Sequence, residues 1–209
     1  MSRDPIDDAA AAVRGGALVV FPTDTVYGLA ARPDDPAATG RIFEAKARPR
    51  DLTIPVLVAT TAEARRVATF DARAERLATA WPGALTLVLP RTEASRGWDL
   101  GAERATVGVR VPAEPLALAL LARTGPLAVT SANRSGEPPA RTCDELRDVF
   151  GDAVDVYLCS AEPLEQTPST VVDLAGGEPR IVRIGAVPAD AVERLLTSED
   201  PLLDSGPRR

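Results

Sequence analysis

Residues 17–29, Ala17-Leu18-Val19-Val20-Phe21-Pro22-Thr23-Asp24-Thr25-Val26-Tyr27-Gly28-Leu29, run from an unbroken apolar stretch into a proline, two threonines, an aspartate and a glycine. The apolar residues, bounded by turn formers, have the length and β-branched character of a buried strand, read over 17–21. Pro22 stops the ladder, because it has no N–H to give a neighbouring strand. Thr23 and Thr25 then carry hydroxyls at a strand end, where such groups either satisfy local backbone in a turn or face a ligand. Tyr27 offers a flat ring, as a wall beneath a ligand or as core packing. Gly28 permits a turn or a close approach of backbone.

Helix and strand signals alternate on either side of this stretch. Asp4-Pro5, the acids Asp7 and Asp8, and Gly15-Gly16 frame a short helix with an N-cap, a proline at its first position and a glycine stop. Asp35-Pro36 opens a second helix over 36–47, with Lys46 and Arg48 at its C-terminal end. Further strands are read at 55–58, 84–89, 105–111, 126–130, 153–158, 170–174 and 180–184, and further helices over 61–80, 114–123, 142–150 and 188–196. Residues 91–104 read as a polar surface loop. Residues 131–140 read as irregular chain, because Gly136, Pro138 and Pro139 break either period. Hairpin-like neighbours mixed with helical crossovers predict an α/β protein with a mixed sheet rather than a doubly wound parallel one. One domain is expected over 1–197, with 198–209 as a disordered tail.

The 209 residues are 45% hydrophobic and 26% charged, which describes a soluble chain long enough to bury a real core. No histidine is present, so His metal sites, His general bases and Ser-His triads are excluded. Any chemistry falls to Lys, Arg, Thr, Ser, Asn, Tyr and the acids. Cys143 and Cys159 lack CxxC spacing; no disulfide framework is needed, and both are assigned to packing. The start has no apolar signal core, and no stretch approaches about 20 apolar residues, so a cytoplasmic protein without a membrane partner is expected. The net charge of -6 argues against a surface given over to nucleic acid. Arg41, Lys46, Arg48 and Arg50 nevertheless form a local basic cluster, to be answered by solvent or by an anion.

Small polar groups collect at the ends of the expected strands: Thr23 and Thr25, Ser131 and Asn133, Ser169 and Thr170. Lys46, Arg48, Arg110 and Arg183 can neutralise a carboxylate or phosphates beside them. Arg110 follows Val107 and Val109 in a strand whose odd positions look buried. An arginine on the interior side of a sheet demands an anion.

Six motifs stand in one order: Pro22 to Leu29, Lys46-Ala47-Arg48-Pro49, Thr106-Val107-Gly108-Val109-Arg110-Val111-Pro112, Ser131-Ala132-Asn133-Arg134-Ser135-Gly136, Pro168-Ser169-Thr170-Val171-Val172-Asp173, and Arg183-Ile184-Gly185. In these the chain resembles the YrdC-like L-threonylcarbamoyladenylate synthases, in their short single-domain form, over about residues 8–196. The resemblance implies a twisted mixed β-sheet flanked by helices with a concave active-site cavity. It implies a nucleotidyltransferase that condenses L-threonine, bicarbonate or CO2 and ATP into threonylcarbamoyl-AMP and pyrophosphate. A downstream threonylcarbamoyl transferase complex then modifies tRNA beside the anticodon, with at most weak tRNA contact here.

Carried over by position, the resemblance places Thr25 and Arg110 on threonine, with Thr23, Tyr27 and Ser169 completing that pocket. Lys46 and Arg48 would meet the nucleotide phosphates, and Thr106, Ser131, Asn133 and Arg183 would line the nucleotide side. No catalytic side-chain nucleophile and no dedicated metal site are expected; Mg2+ rides on the triphosphate, and positioning and electrostatics carry the reaction. Ala59 stands where some relatives place a histidine. Asp24 is open between ligand, base and cap of a nearby N–H. Trp81-Pro82-Gly83 reads as a helix-ending aromatic plug. Two other readings are a carbamoyl-adenylating domain like that of hydrogenase-maturation carbamoyltransferases and an RNA-binding module, which the acidic balance disfavours.

Overall fold

In the computed structural model, which describes residues 4–198, the chain begins α1 (Pro5–Arg14), β1 (Val19–Phe21), β2 (Gly28–Ala31), α2 (Pro36–Lys46), β3 (Val56–Leu57), α3 (Thr61–Val67) and α4 (Ala72–Leu77). It continues β4 (Leu85–Pro90), α5 (Glu93–Arg96), β5 (Thr106–Arg110), α6 (Pro115–Thr124) and β6 (Leu127–Ser131). It closes with α7 (Cys143–Phe150), β7 (Val156–Tyr157), β8 (Thr170–Asp173), β9 (Arg180–Arg183) and α8 (Ala189–Thr197). All but the first residue of the expected tail lies outside the described residues.

The start signals act as the residue types dictate. The Asp4 carboxylate accepts from the Ile6 N–H, Asp35 from Ala37 and Ala38, Asp71 from Arg73 and Ala74, and Thr142 from Glu145, so each of these four helices has one or two of its orphan donors met by a side chain. The 61–80 stretch is two helices and a 3-10 turn, divided where Asp71 caps α4.

Among the described residues the strands form one sheet in the order β7-β1-β2-β6-β3-β5-β4-β8-β9. The pairs β1–β2, β2–β6, β3–β6, β4–β5 and β8–β9 are antiparallel, and β1–β7, β3–β5 and β4–β8 are parallel. The mixed sheet expected from the sequence is therefore the architecture found.

Three local readings are corrected. β2 was not anticipated: Gly28-Leu29-Ala30-Ala31 contains no β-branched or polar residue to mark a period, yet it pairs with β1 as a hairpin arm. Residues 91–104 are not a polar surface loop. They wrap a buried cation, Arg91, whose guanidinium donates to the carbonyls of Thr106 at 2.8 Å, Trp98 at 2.9 Å, Glu103 at 3.0 Å and Ser95 at 3.3 Å, with Leu100 fully buried beside it. Cys143 and Cys159 are not merely packed: they form a disulfide with Cα atoms 5.7 Å apart, which ties the start of α7 to the chain leaving β7.

The strand period sorts the core onto two faces. Leu18, Val20, Leu29, Leu87, Val109 and Val172 belong to one continuous core on one side of the sheet. On the other side Val19, Phe21, Ala30, Leu57, Leu127 and Val129 pack against Ala9, Ala10 and Val13 of α1 and Ala117, Leu120 and Leu121 of α6. Strand register carries this second face onward from Leu57 to Arg110, from Gly108 to Val88, and from Thr86 through Val171 to Arg183. None of the residues packed with α1 and α6 comes from β4, β5, β8 or β9. Among the described residues, α1 and α6 leave that half of the sheet uncovered on this face.

Candidate functional site

A cavity of about 500 Å3 lies on this face, spanning the border between the covered and the uncovered half. Its floor is built of strand residues that share the open face: Gly28, Leu57, Thr86, Gly108, Val129 and Val171. The glycines keep the floor low. A Cβ on Gly28 would lie 2.6 Å from Val129 Cγ1, and one on Gly108 would lie 3.3 Å from Pro55 Cβ. Loop residues after β1 and β6, together with Arg48, Thr53, Pro168 and Ser169, form the walls.

Ten of the residues expected at the site line this one cavity: Thr23, Thr25, Tyr27, Arg48, Thr106, Arg110, Ser131, Asn133, Ser169 and Arg183. Lys46 does not. It is 1% exposed, and its ammonium sits beneath the loop after β6, donating to the carbonyl of Ser131 at 2.5 Å, to that of Asn133, and to Asn133 Oδ1 at 3.2 Å. The cause is local: Lys46 lies one turn beyond Ile42 on the buried face of α2, and Ala47 then closes the helix in the left-handed region at φ 49°, after which Arg48 reaches the cavity.

One corner centres on Arg110. It is an even-numbered residue of its strand, so it points to the open face while Val107 and Val109 enter the core. Its Nε donates to the Gly83 carbonyl at 2.9 Å, Nη1 to Thr25 Oγ1 at 3.0 Å, and Nη2 to Asp24 Oδ1 at 2.5 Å. The anion that Arg110 requires is thus Asp24, a pairing not assigned from sequence. Burial lowers the Arg110 pKa, and the Asp24 charge pulls it back up. The Thr23 hydroxyl is consumed in the turn: it donates to Val26 O at 2.5 Å, accepts from the Thr25 and Val26 N–H groups, and holds Thr25 Oγ1 at 3.0 Å. Tyr27 is wall and core at once, its ring buried and its hydroxyl accepting from the Ser160 N–H at 2.9 Å.

The cavity carries two further cations, and one of them, Arg183, is close enough for its charge to act on Arg110. Arg183 donates to the Ser169 carbonyl from Nε at 3.1 Å and from Nη2 at 2.9 Å, and reaches Ser169 Oγ at 3.2 Å. Arg48 donates to the carbonyls of Leu52 at 3.0 Å and Thr53 at 2.9 Å. These hydrogen-bond partners are neutral oxygens, so both guanidinium groups are oriented without a carboxylate hydrogen-bonded to them, although the Asp51 charge acts on Arg48. Burial lowers the pKa of Arg48 and of Arg183, and burial with the nearby Arg48 charge brings Lys46 down to about 7, against the pull of its three oxygens.

Thr170, grouped with the polar strand ends in the sequence, is fully buried; its hydroxyl accepts from the Gly185 N–H at 2.8 Å and the Val187 N–H at 3.2 Å, and so holds the chain after β9. Ala59 packs with the α1–α6 core rather than facing the cavity. Sequence reasoning missed Thr53, Thr86, Thr130 and Glu137 in the lining. For Thr86 a signal existed, since it interrupts the leucines of β4 at an alternate position and holds Ser169 Oγ at 2.9 Å. For Glu137, in irregular chain, none did. Among the described residues no group of three or more His, Cys, Asp or Glu side chains comes together as a metal site, and no helix is long and apolar enough to cross a membrane.

The Sua5/YciO/YrdC family model, described as "Telomere recombination", matches residues 11–185. A relative from Mycobacterium tuberculosis is 42% identical over 193 residues, covering 91% of this chain and 88% of its own length. The structure of Pyrococcus abyssi Sua5 complexed with L-threonine is similar with a TM-score of 0.83 and 36% identity, over 94% of this chain and 59% of that one. The chain therefore spans about three-fifths of that longer relative. Escherichia coli YciO has a TM-score of 0.83 and 30% identity, over 91% of this chain and 95% of its own.

Proposed function

This chain belongs to the Sua5/YciO/YrdC family, and from that premise we propose that it condenses L-threonine, bicarbonate or CO2 and ATP into L-threonylcarbamoyladenylate and pyrophosphate. As a nucleotidyltransferase of this kind it supplies the activated group for threonylcarbamoyladenosine in tRNA. The supporting observation is one cavity with two kinds of cation: Arg110 paired with the Asp24 carboxylate, and Arg48 and Arg183 hydrogen-bonded to neutral oxygens.

The two kinds of cation suit the two substrates. Threonine sits at Arg110 and Thr25, its carboxylate on the guanidinium and its hydroxyl among the small polar groups of Ser169 and Thr86. The triphosphate lies toward Arg48, Arg183, Thr106 and the loop of Ser131 and Asn133, which Lys46 holds from below. A carbamate oxygen attacking the α-phosphate brings two anions together, and fixed cations offset that repulsion in a partly dry cleft. Bringing the amine, its CO2 equivalent and the phosphorus together in one enclosure supplies the rest of the rate, with no covalent enzyme intermediate.

Mg2+ enters with ATP, where it neutralises phosphate charge. The cavity's hydroxyls and the Glu137 carboxylate provide oxygen donors that suit such a passenger. The product passes to a threonylcarbamoyl transferase complex, tRNA contact here is weak, and the setting is the cytoplasm.

Incubating the purified protein with labelled ATP, bicarbonate and threonine tests the reading. Pyrophosphate release that requires threonine supports it. Release that requires carbamoyl phosphate instead would assign the chain to carbamoyl adenylation, and no release with either would leave an RNA-binding module as the better description.

A further inference from the structure

Arg110 differs from the other cations of the cavity in having a carboxylate partner. The Arg110 side chain is 5% exposed and that of Asp24 18%, so the pair lies where water screens little. Asp24 commits Oδ1 to Arg110 Nη2 at 2.5 Å, while Thr25 Oγ1 and the Gly83 carbonyl orient the rest of the guanidinium. The corner is net neutral but strongly dipolar.

An amino acid has the same property. Its carboxylate and ammonium are separated by a single carbon, so a molecule whose carboxylate meets Arg110 brings its ammonium into the field of Asp24. A plain carboxylate also meets Arg110, but feels the Asp24 charge as repulsion with no ammonium of its own to turn that charge into an attraction. We propose that Asp24 is a specificity-determining residue, which makes the Arg110 corner select zwitterionic α-amino acids over carboxylates that lack the amine. This rests on the reading of that corner as the amino-acid seat, and it extends that reading to which acids are refused. Asp24 acts through the field at Arg110, as a positioning and selecting group rather than a catalytic one.

The test compares L-threonine with 2,3-dihydroxybutanoate, which keeps the carboxylate and side-chain hydroxyl and replaces the ammonium by a hydroxyl. Calorimetry on the wild-type protein should show threonine preferred. In Asp24→Asn threonine binding should weaken about tenfold or more, the scale of one poorly screened charge contact, while dihydroxybutanoate binds more tightly than to wild type. Asp24→Glu, which keeps the charge, should retain the preference for threonine, and the apparent affinity for ATP should not move in either variant. If Asp24 serves only to hold Arg110 in place, Asp24→Asn weakens both acids together, and that outcome overturns the proposal. Wild-type protein that shows no threonine binding and no threonine-dependent pyrophosphate release overturns the proposed function instead.

Discussion

Lys46 and Ser131 are joined by a 2.5 Å hydrogen bond that pins the last residue of β6 to the last turn of α2. The ammonium is held at about 7, far below its ordinary 10.5, by burial and by Arg48. Between these values the unfolded chain carries a proton the folded one lacks, so this group's contribution to stability is poorest below about 7 and improves as pH rises toward 10.5. An arriving triphosphate should draw that proton back. At pH 8 nucleotide binding is expected to take up a fraction of a proton, read from calorimetry in buffers of different ionisation enthalpy, and Lys46→Met should abolish the uptake.

Arg110 and Arg183 line one cavity and are assigned different substrates, threonine and ATP. Arg110→Ala should raise the KM for threonine at least about tenfold, the loss of a charge-assisted hydrogen bond, and leave the KM for ATP within about threefold. Arg183→Ala should do the reverse. Equal effects of either change on both constants would contradict the assignment of these arginines to different substrates.

Gly28→Ala places a Cβ 2.6 Å from Val129 Cγ1 at the cavity floor. The overlap should cost about 1–3 kcal/mol in chemical denaturation. Combining it with Val129→Ala removes the colliding methyl and should recover part of the loss, which a purely conformational role for Gly28 would not allow.

Arg91→Ala strands the carbonyls of Thr106, Trp98, Glu103 and Ser95, which share one guanidinium. Unmet buried acceptors predict a loss of about 2–4 kcal/mol. Arg91→Lys should rescue little, since a single ammonium lacks the planar fork that spans these acceptors. Thr106 lines the cavity, so the same variant should also raise the ATP requirement.

The Cys143–Cys159 bond closes a loop with a sequence separation of 16. Its reduction should lower stability by about 3 kcal/mol, measured as a shifted denaturation midpoint. Cys159→Ser should show the same lowered midpoint and no further response to reductant.

What could be read from the residues followed from how local their signals are. Asp4-Pro5 and Asp35-Pro36 announce helices because a cap acts within three residues, and the structure shows those caps made. Arg110 stood out because a charge beside alternating valines must face away from the core. Its partner did not, because the Asp24–Arg110 contact spans 86 residues and depends on how the loop after β1 meets β5. The Lys46 motif was legible while its destination was not: its helical position points the ammonium beneath a loop about 85 residues away in sequence, and a left-handed alanine, which no propensity favours, parts it from Arg48. The disulfide was missed for a similar reason, since its spacing matches no local motif and only the approach of α7 to the chain after β7 brings the sulfurs together. Likewise β2 became a strand through pairing with β1 and β6 on both sides, not through its own composition.

The alternation within β5 has a price. Val109 and Arg110 are adjacent, one in the core and the other on the cavity floor, so sliding this strand by one position would exchange them. The slipped chain would drive a guanidinium into hydrocarbon and offer a valine to the ligand. Misaligned molecules therefore lose their solidity along with their chemistry, and a population that survives quality control is one in which every cavity is already assembled.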